Sequence, residues 1–306
     1  MRVTFTAHFL SGPWWAGIFL GVLALFLAVN IRASEAMSCP AGSTAGDIGF
    51  GEHIACSIDV AGEQDFFTFS GVSGEAVYVR VARTNPSPLV LEARIFRPDN
   101  SSLCNGTTAS FSDTACVLNV TGTFKIRVSN PVSSATGPYV LYLQNLTTPV
   151  NAAAASYGDN YPGNLAAGHV AAFTFSALAG ENIFVRFAQA APSASLDPEF
   201  KIYGSGGVAP VTLLGQDCKR FSSTSAFRDC NIDVDDAYTV LAFDHNASGS
   251  GDYVFYLQNE SHRQNTTVTT FGQNYSGILG PGQVADFTFT AAENEAVYVR
   301  FARAAA

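Results

Sequence analysis

The chain has 306 residues, with 16 Lys and Arg against 25 Asp and Glu and a formal net charge of −9. Charged residues make up only 13%, about half the usual share of ~25%, and just three are lysines, Lys125, Lys201 and Lys219. This excludes nucleic acid as a partner, because neutralising phosphates needs a basic surface. A hydrophobic fraction of 47% with 24 Phe excludes a charged disordered chain.

Phe9 to Ile31 carries no formal charge and lies between His8 and Arg32, with Arg2 ahead of it. Ser34-Glu35-Ala36 then places small residues at −3 and −1 of a cut after Ala36. That order is the order of a secretory signal peptide. An uncleaved signal anchor is the rival, since ~20 apolar residues span a bilayer; residues 9–31 would then be the contact with the membrane. Both readings put the rest of the chain outside the cytoplasm, secreted or at the cell surface.

Beyond residue 36 the chain repeats itself. Phe-Thr-Phe occurs at Phe67-Thr68-Phe69, Phe173-Thr174-Phe175 and Phe287-Thr288-Phe289, at offsets of 106 and 114. A glutamate follows each time (Glu75, Glu181, Glu295), then an apolar run ending in arginine: Val77 to Arg80, Ile183 to Arg186, Val297 to Arg300. Cys104, Cys116, Tyr139, Tyr142 and Gln144-Asn145 recur at offset 114 as Cys218, Cys230, Tyr253, Tyr256 and Gln258-Asn259. Internal similarity of this kind marks repeated structural units. It divides the chain into a leader (1–36), one repeat (37–151), a second (152–268) and the start of a third (269–306), with Ala152 to Ala155 as the linker between the first two.

Each unit reads as β structure. Runs of four to eight residues rich in Val, Phe, Tyr and Thr are split by Gly, Asn, Ser and Pro. In Val77-Tyr78-Val79-Arg80-Val81 the period of two sends Val77, Val79 and Val81 to one face and Tyr78 and Arg80 to the other. An unpaired Arg is costly to bury, so the valines face the core. The closing strand sends Tyr139, Leu141 and Leu143 inward and Val140, Tyr142 and Gln144 outward. The fold class is all-β: two tandem, jelly-roll-like β-sandwich domains and an incomplete third. In that third unit, Val284 to Thr290 and Ala296 to Ala302 are expected strands. They cannot cover their Phe and Val faces alone, so the sequence is expected to be a fragment of a longer protein.

Six cysteines lie after the leader. Cys104 and Cys116 are 12 apart and so are Cys218 and Cys230, at matching positions of two repeats. An even count in an exported chain points to disulfides, and the repeat gives the pairs Cys104–Cys116 and Cys218–Cys230, leaving Cys39–Cys56. Each repeat-internal bridge would staple neighbouring strands across a loop, worth about 3 kcal/mol in the chain-entropy model. Zinc fits less well, because no close Cys-x-x-Cys pair is present.

The order of motifs resembles the bacterial pre-peptidase C-terminal domain. Asp65-Phe66-Phe67-Thr68-Phe69 leads to a Gly-Glu turn and a Val-rich strand. Ile95 to Asn100 forms an Ile-Phe-x-Pro-Asp-Asn turn, Thr121-Gly122-Thr123-Phe124 opens a strand, and Gly137-Pro138-Tyr139-Val140-Leu141 closes the unit. The second copy departs from this at Gly204 to Gly207 and at Asp235-Asp236-Ala237-Tyr238. The resemblance implies a secreted β-sandwich with an accessory role, and it brings no catalytic residues.

Catalytic motifs are missing from the sequence: there is no Gly-x-Ser-x-Gly elbow and no His-Glu-x-x-His. His169 is replaced by Glu63 and Gln283 in the sister repeats and reads as a surface histidine. Asp233, Asp235 and Asp236 are the calcium candidates, with Asp252 or Asp229 completing the shell. They lack the Gly and terminal Glu of an EF-hand loop, so a solvated turn is the simpler reading and no cofactor is expected. The outward pairs Tyr78/Arg80, Phe184/Arg186 and Tyr298/Arg300, with Tyr142 and Tyr256, are the candidate recognition surface for a glycan or a protein; the plainer reading is that they cover the outer sheet or contact the next repeat. Eight Asn-x-Ser/Thr sequons stand at Asn100, Asn105, Asn119, Asn145, Asn246, Asn259, Asn265 and Asn274, glycan acceptors in a host with the machinery. The function expected is a non-enzymatic, exported spacer, adhesion or binding module. The alternatives are the accessory region of a secreted hydrolase or peptidase with catalysis downstream, and a carbohydrate-binding array.

Overall fold

The computed structural model describes residues 37–39, 45–107, 109–191, 195–206, 212–213 and 216–302. The leader, 1–36, lies outside them. In the first unit the strands are β1 (Glu52–Ile58), β2 (Gln64–Gly71), β3 (Ala76–Arg83), β4 (Glu92–Phe96), β5 (Ser102–Asn105), β6 (Phe111–Val117), β7 (Gly122–Ser129) and β8 (Gly137–Asn145). The second unit repeats the set as β9 (Asn160–Leu165), β10 (Val170–Ala177), β11 (Asn182–Gln189), β12 (Pro198–Gly204), β13 (Lys219–Phe221), β14 (Ser225–Asn231), β15 (Asp236–Asp244) and β16 (Gly251–Asn259).

Two sheets build each unit, antiparallel apart from short parallel edge strands at Met37–Ser38, Ala45–Asp47 and Ala153–Ala154. The front sheet runs β1-β8-β3-β6 and the back sheet β2-β7-β4-β5; the second unit has β9-β16-β11-β14 and β10-β15-β12-β13. This is the eight-stranded jelly-roll order, in which closing the chain on itself leaves few open edges. Ala152 to Ala155 is not a free linker. Ala153–Ala154 pairs in parallel with Phe173–Thr174, and Ala153 and Ala155 pack on the core, so the stretch is spent as an edge of the second unit.

The cores follow the period of two. Val77, Val79 and Val81 meet Tyr139, Leu141 and Leu143 from the front sheet and Phe67, Phe69, Phe124 and Ile126 from the back sheet. In the second unit Ile183, Val185 and Phe187 take the same places, with Phe173 stacked on Phe255 at 4.0 Å between ring centres. Each such side chain contributes roughly 1.5–3 kcal/mol by leaving water. All three disulfides are present. The two repeat-internal ones join a back sheet to a front sheet, not neighbouring strands of one sheet: Cys104 lies in β5 and Cys116 in β6, Cys218 just before β13 and Cys230 in β14. Cys39–Cys56 ties the chain entry to β1.

The third unit is thinner than its sequence suggests. Among the described residues only β17 (Thr267–Val268) and β18 (Phe287–Thr288) pair, in parallel. Ala296 to Ala302 forms no strand. Its counterparts β3 and β11 each run between two hydrogen-bonded neighbours, and no strand of the described residues stands beside it. A strand is a property of a pair, and high β propensity alone does not make one.

Candidate functional site

The outer face of the first front sheet is not open to solvent. It packs against the outer face of the second back sheet, where Ala76, Tyr78, Tyr142 and Leu146 meet Val170, Ala172, Tyr203, Leu241 and Phe243. Arg80, 1% exposed, sits in the middle of this joint. Its guanidinium lies between the rings of Phe111 (4.2 Å) and Phe243 (3.9 Å), and Nη2 donates to the carbonyl oxygen of Asp244 at 3.0 Å. A buried cation needs such partners. Asp113 supplies the counter-charge: Oδ2 lies 3.5 Å from Arg80 Nη1, accepts the Tyr78 hydroxyl at 2.9 Å and pairs with Lys201 of the second unit. Burial works against the Asp113 carboxylate, yet Lys201 and Arg80 together hold it below the ordinary carboxylate range. Burial first, and Asp113 second, push the Tyr78 hydroxyl well up.

The rest of this joint is a backbone contact. The Val170 N–H donates to His53 Nε2 at 3.0 Å. The His53 ring stacks on Tyr142 (4.6 Å) and on His169 (4.4 Å). Nδ1 of both histidines is buried without a hydrogen-bond partner among the described residues. Burial, and then the neighbouring His169, lower His53 to about 3; burial also lowers His169. Gly168 makes the turn that brings Val170 in. Its φ is +78°, and a Cβ there would stand 3.2 Å from Val140 and from Thr84 of the first unit.

The joint between the second and third units uses the same device. The Val284 N–H donates to Asn160 Oδ1 at 2.8 Å, and Asn160 Nδ2 donates to the Val284 carbonyl at 2.9 Å. Asn160 stands opposite Tyr256 as His53 stands opposite Tyr142. Gly282, with φ +75°, seats on Val254 as Gly168 seats on Val140. Arg186 donates to the Gly282 carbonyl and, through Nε, to Ser225 Oγ at 3.0 Å; burial lowers its pKa. Phe184 and Tyr256 pack on Val284. Gln258 and Arg263 both reach the Asp286 carboxylate.

Of the residues read as a recognition surface, Tyr78, Arg80, Tyr142, Phe184, Arg186 and Tyr256 are therefore all buried, inside these joints. A flat aromatic platform for sugar rings is not available there, because the next unit occupies it. Tyr298 and Arg300 are exposed. His169 is not a surface residue, since the first unit covers it. Two of the calcium candidates, Asp235 and Asp236, are engaged as turn acceptors. Asp235 accepts from the Ala179 N–H, Asp236 from the Ser205 N–H and hydroxyl, and Asp233 is exposed. Asp252 accepts from Asn164 instead of joining them, and among the described residues no three His, Cys, Asp or Glu side chains gather for a metal. Two sequons are closed by folding. Asn145 and Asn259 are buried and cap the following turns, Asn145 accepting from Thr147 and Thr148 and Asn259 from Ser261 and His262; Asn100, Asn105, Asn119, Asn246, Asn265 and Asn274 are exposed.

Sequence reasoning missed the docking residues His53, Asp113, Gly168, Val170 and Lys201. A signal for part of this existed: Gly168-His169-Val170-Ala171 and Gly282-Gln283-Val284-Ala285 share Gly-x-Val-Ala, whereas Gly62-Glu63-Gln64-Asp65 of the first unit, which docks on nothing described, does not.

No protein-family model matches the chain, and no curated protein does. Among solved structures it is similar to PliG of Aeromonas hydrophila, a periplasmic inhibitor of g-type lysozyme, at 12% identity and a TM-score of 0.28, over 33% of this chain and 95% of that one. It is also similar to the pre-peptidase C-terminal domain of a collagenase from Bacillus anthracis, at 13% identity and a TM-score of 0.29, over 36% of this chain and 98% of that one. Likeness of this size leaves fold and function to be argued from the residues.

Proposed function

We propose that the chain is a non-catalytic, extracytoplasmic spacer whose jelly-roll units are locked at a fixed angle. The observation that carries this is the repeated joint: a Gly turn seated on a valine, and a valine N–H held by a side chain of β1 or β9, in matching positions at both joints. A flexible tether would have Gly- and Ser-rich linkers and wet, unpaired faces. Here the facing side chains are buried against one another, and an arginine of the first and of the second unit crosses to a backbone carbonyl of the next. Three disulfides suit an oxidising compartment outside the cytoplasm.

The test is a distance distribution. Spin labels on exposed Ser73 in the first unit and exposed Val234 in the second should give one narrow peak. Arg80→Ala should broaden it while each sandwich keeps its own fold. A broad distribution in the unaltered chain removes the proposal.

A further inference from the structure

The first unit carries a disulfide that the repeat does not need. Cys39–Cys56 fastens Met37–Ser38 beside β1, where the two residues pair in parallel with Ile54 and Ala55 and the Cys39 N–H donates to the Ala55 carbonyl at 2.9 Å. Among the described residues the second unit has no such strand, and β9 is the outermost of its sheet. Register against the closing strands matches Ala55 with Pro162 and Cys56 with Gly163. Pro162 has no N–H to offer an incoming strand, and proline at such a place closes a sheet edge. The first unit thus guards with a tethered strand the edge that the second guards with proline. The three disulfides also differ in access. Cys39 and Cys56 are both half-buried. In the other two bonds Cys116, Cys218 and Cys230 are buried. Exchange requires a thiolate to reach a sulfur, so exposed bonds are the labile ones.

We infer that Cys39–Cys56 is a thiol-exchange site, opened by a dithiol reductant, that releases Met37–Cys39 from β1 while the sandwich stays folded. A thiolate of the reductant attacks one sulfur. The S–S bond breaks, a mixed disulfide forms, and the other cysteine leaves as a thiolate and takes up a proton. The second thiolate of the reductant then attacks the mixed disulfide and frees the remaining cysteine. The chain ends with two thiols and the reductant with a disulfide; two electrons and two protons have passed between them. β1 keeps its pairing with β8 from Glu52 to Ile58, and the two bonds that join front and back sheets remain, so only the outer edge opens. Once the bond is cut, two paired residues are too short a ladder to hold the entry strand in place. The inference is independent of the spacer reading, which rests on the joints alone.

The experiment treats the full chain with dithiothreitol at pH 8 without denaturant, quenches with iodoacetamide and reads each cysteine by peptide mass spectrometry. Cys39 and Cys56 should be labelled at least about tenfold faster than the other four, before circular dichroism changes. Amide exchange should then quicken at Cys39 and along the outer edge of β1, stay slow in β8, and return to its first rate when glutathione disulfide is added. Cys39→Ser with Cys56→Ser should show the quickened exchange from the start, and dithiothreitol should add nothing to it. Reduction of all three bonds at one rate, reduction of either other bond first, or labelling only in step with global unfolding overturns the inference. So does labelling of Cys39 and Cys56 with the edge of β1 still protected. The order of reduction is read on the unaltered protein, so the test stands even where the double variant misfolds.

Discussion

The two joints share one backbone contact and differ in almost everything around it. Val170 and Val284 donate to the same place, yet the acceptor is His53 in the first joint and Asn160 in the second. The ring stacked on His53 is His169; its counterpart is Gln283. The first joint is filled by Tyr203, Leu241 and Phe243. The second has only Val284 over Phe184 and Tyr256, and Phe227, which takes Asp113's place opposite the arginine, is left 52% exposed. The difference teaches that a turn and one N–H are common to both joints, whereas the side chains around them, on which strength and response to pH depend, vary.

The comparison is broken most forcefully through the arginines. Arg80→Ala removes a cation stacked between two rings and leaves Asp113 with less counter-charge, so it should cost about 3–5 kcal/mol and uncouple the melting of the first two units in calorimetry. Arg186→Ala, which has no acidic partner among the described residues, should cost ~1–2 kcal/mol.

Acid should separate the joints next. The folded value of His53 lies below its unfolded one, so its neutral form stabilises the joint fully above about pH 6.5 and that stability is lost as pH falls toward 3. Protonated His53 would face His169, with Tyr142 on its other side and no carboxylate in contact. By pH 4 the first joint should weaken by roughly 2–3 kcal/mol and the second through no histidine of its own, seen as a broadened label distance only between the first two units. His53→Asn with His169→Gln, the residues of the second joint, should remove this response; an unchanged response would refute the assignment.

A smaller contrast lies inside the first core. Asp65 stands where the second and third units have Ala171 and Ala285. Burial raises it to about 6 despite the Tyr139 hydroxyl that it accepts. Its folded value exceeds its unfolded one, so it favours folding below about pH 4 and that contribution is lost as pH rises through 6. Asp65→Asn should raise stability by about 1–2 kcal/mol at pH 8 and change little at pH 4, measured by urea unfolding at both. Smallest of all, Gly168→Ala and Gly282→Ala should each cost about 1 kcal/mol through positive φ. The second should be slightly worse, since its Cβ would stand 2.9 Å from the Gln189 carbonyl oxygen.

The core was legible in the sequence because it is local: Val77, Val79 and Val81 alternate, and two cysteine pairs share a spacing of 12. Tyr78 and Arg80 were also placed correctly on the outer face. What covers them was not legible, because the partner carbonyl of Arg80 lies 164 residues away and periodicity carries no information at that range. The strand expected at Ala296 to Ala302 failed for a related reason. Its residues have the pattern, but the neighbours that would convert pattern into ladder are not beside it.

The back sheet of the first unit has one more consequence. Where the second unit presents Leu241, Phe243 and Lys201, the register of the first puts Arg127, Ser129 and Arg94, with Glu92 bridging the two arginines at 2.8 Å each. Docking another front sheet on this surface would strip water from two guanidinium groups, so the first back sheet is protected from the contact that the apolar second back sheet makes.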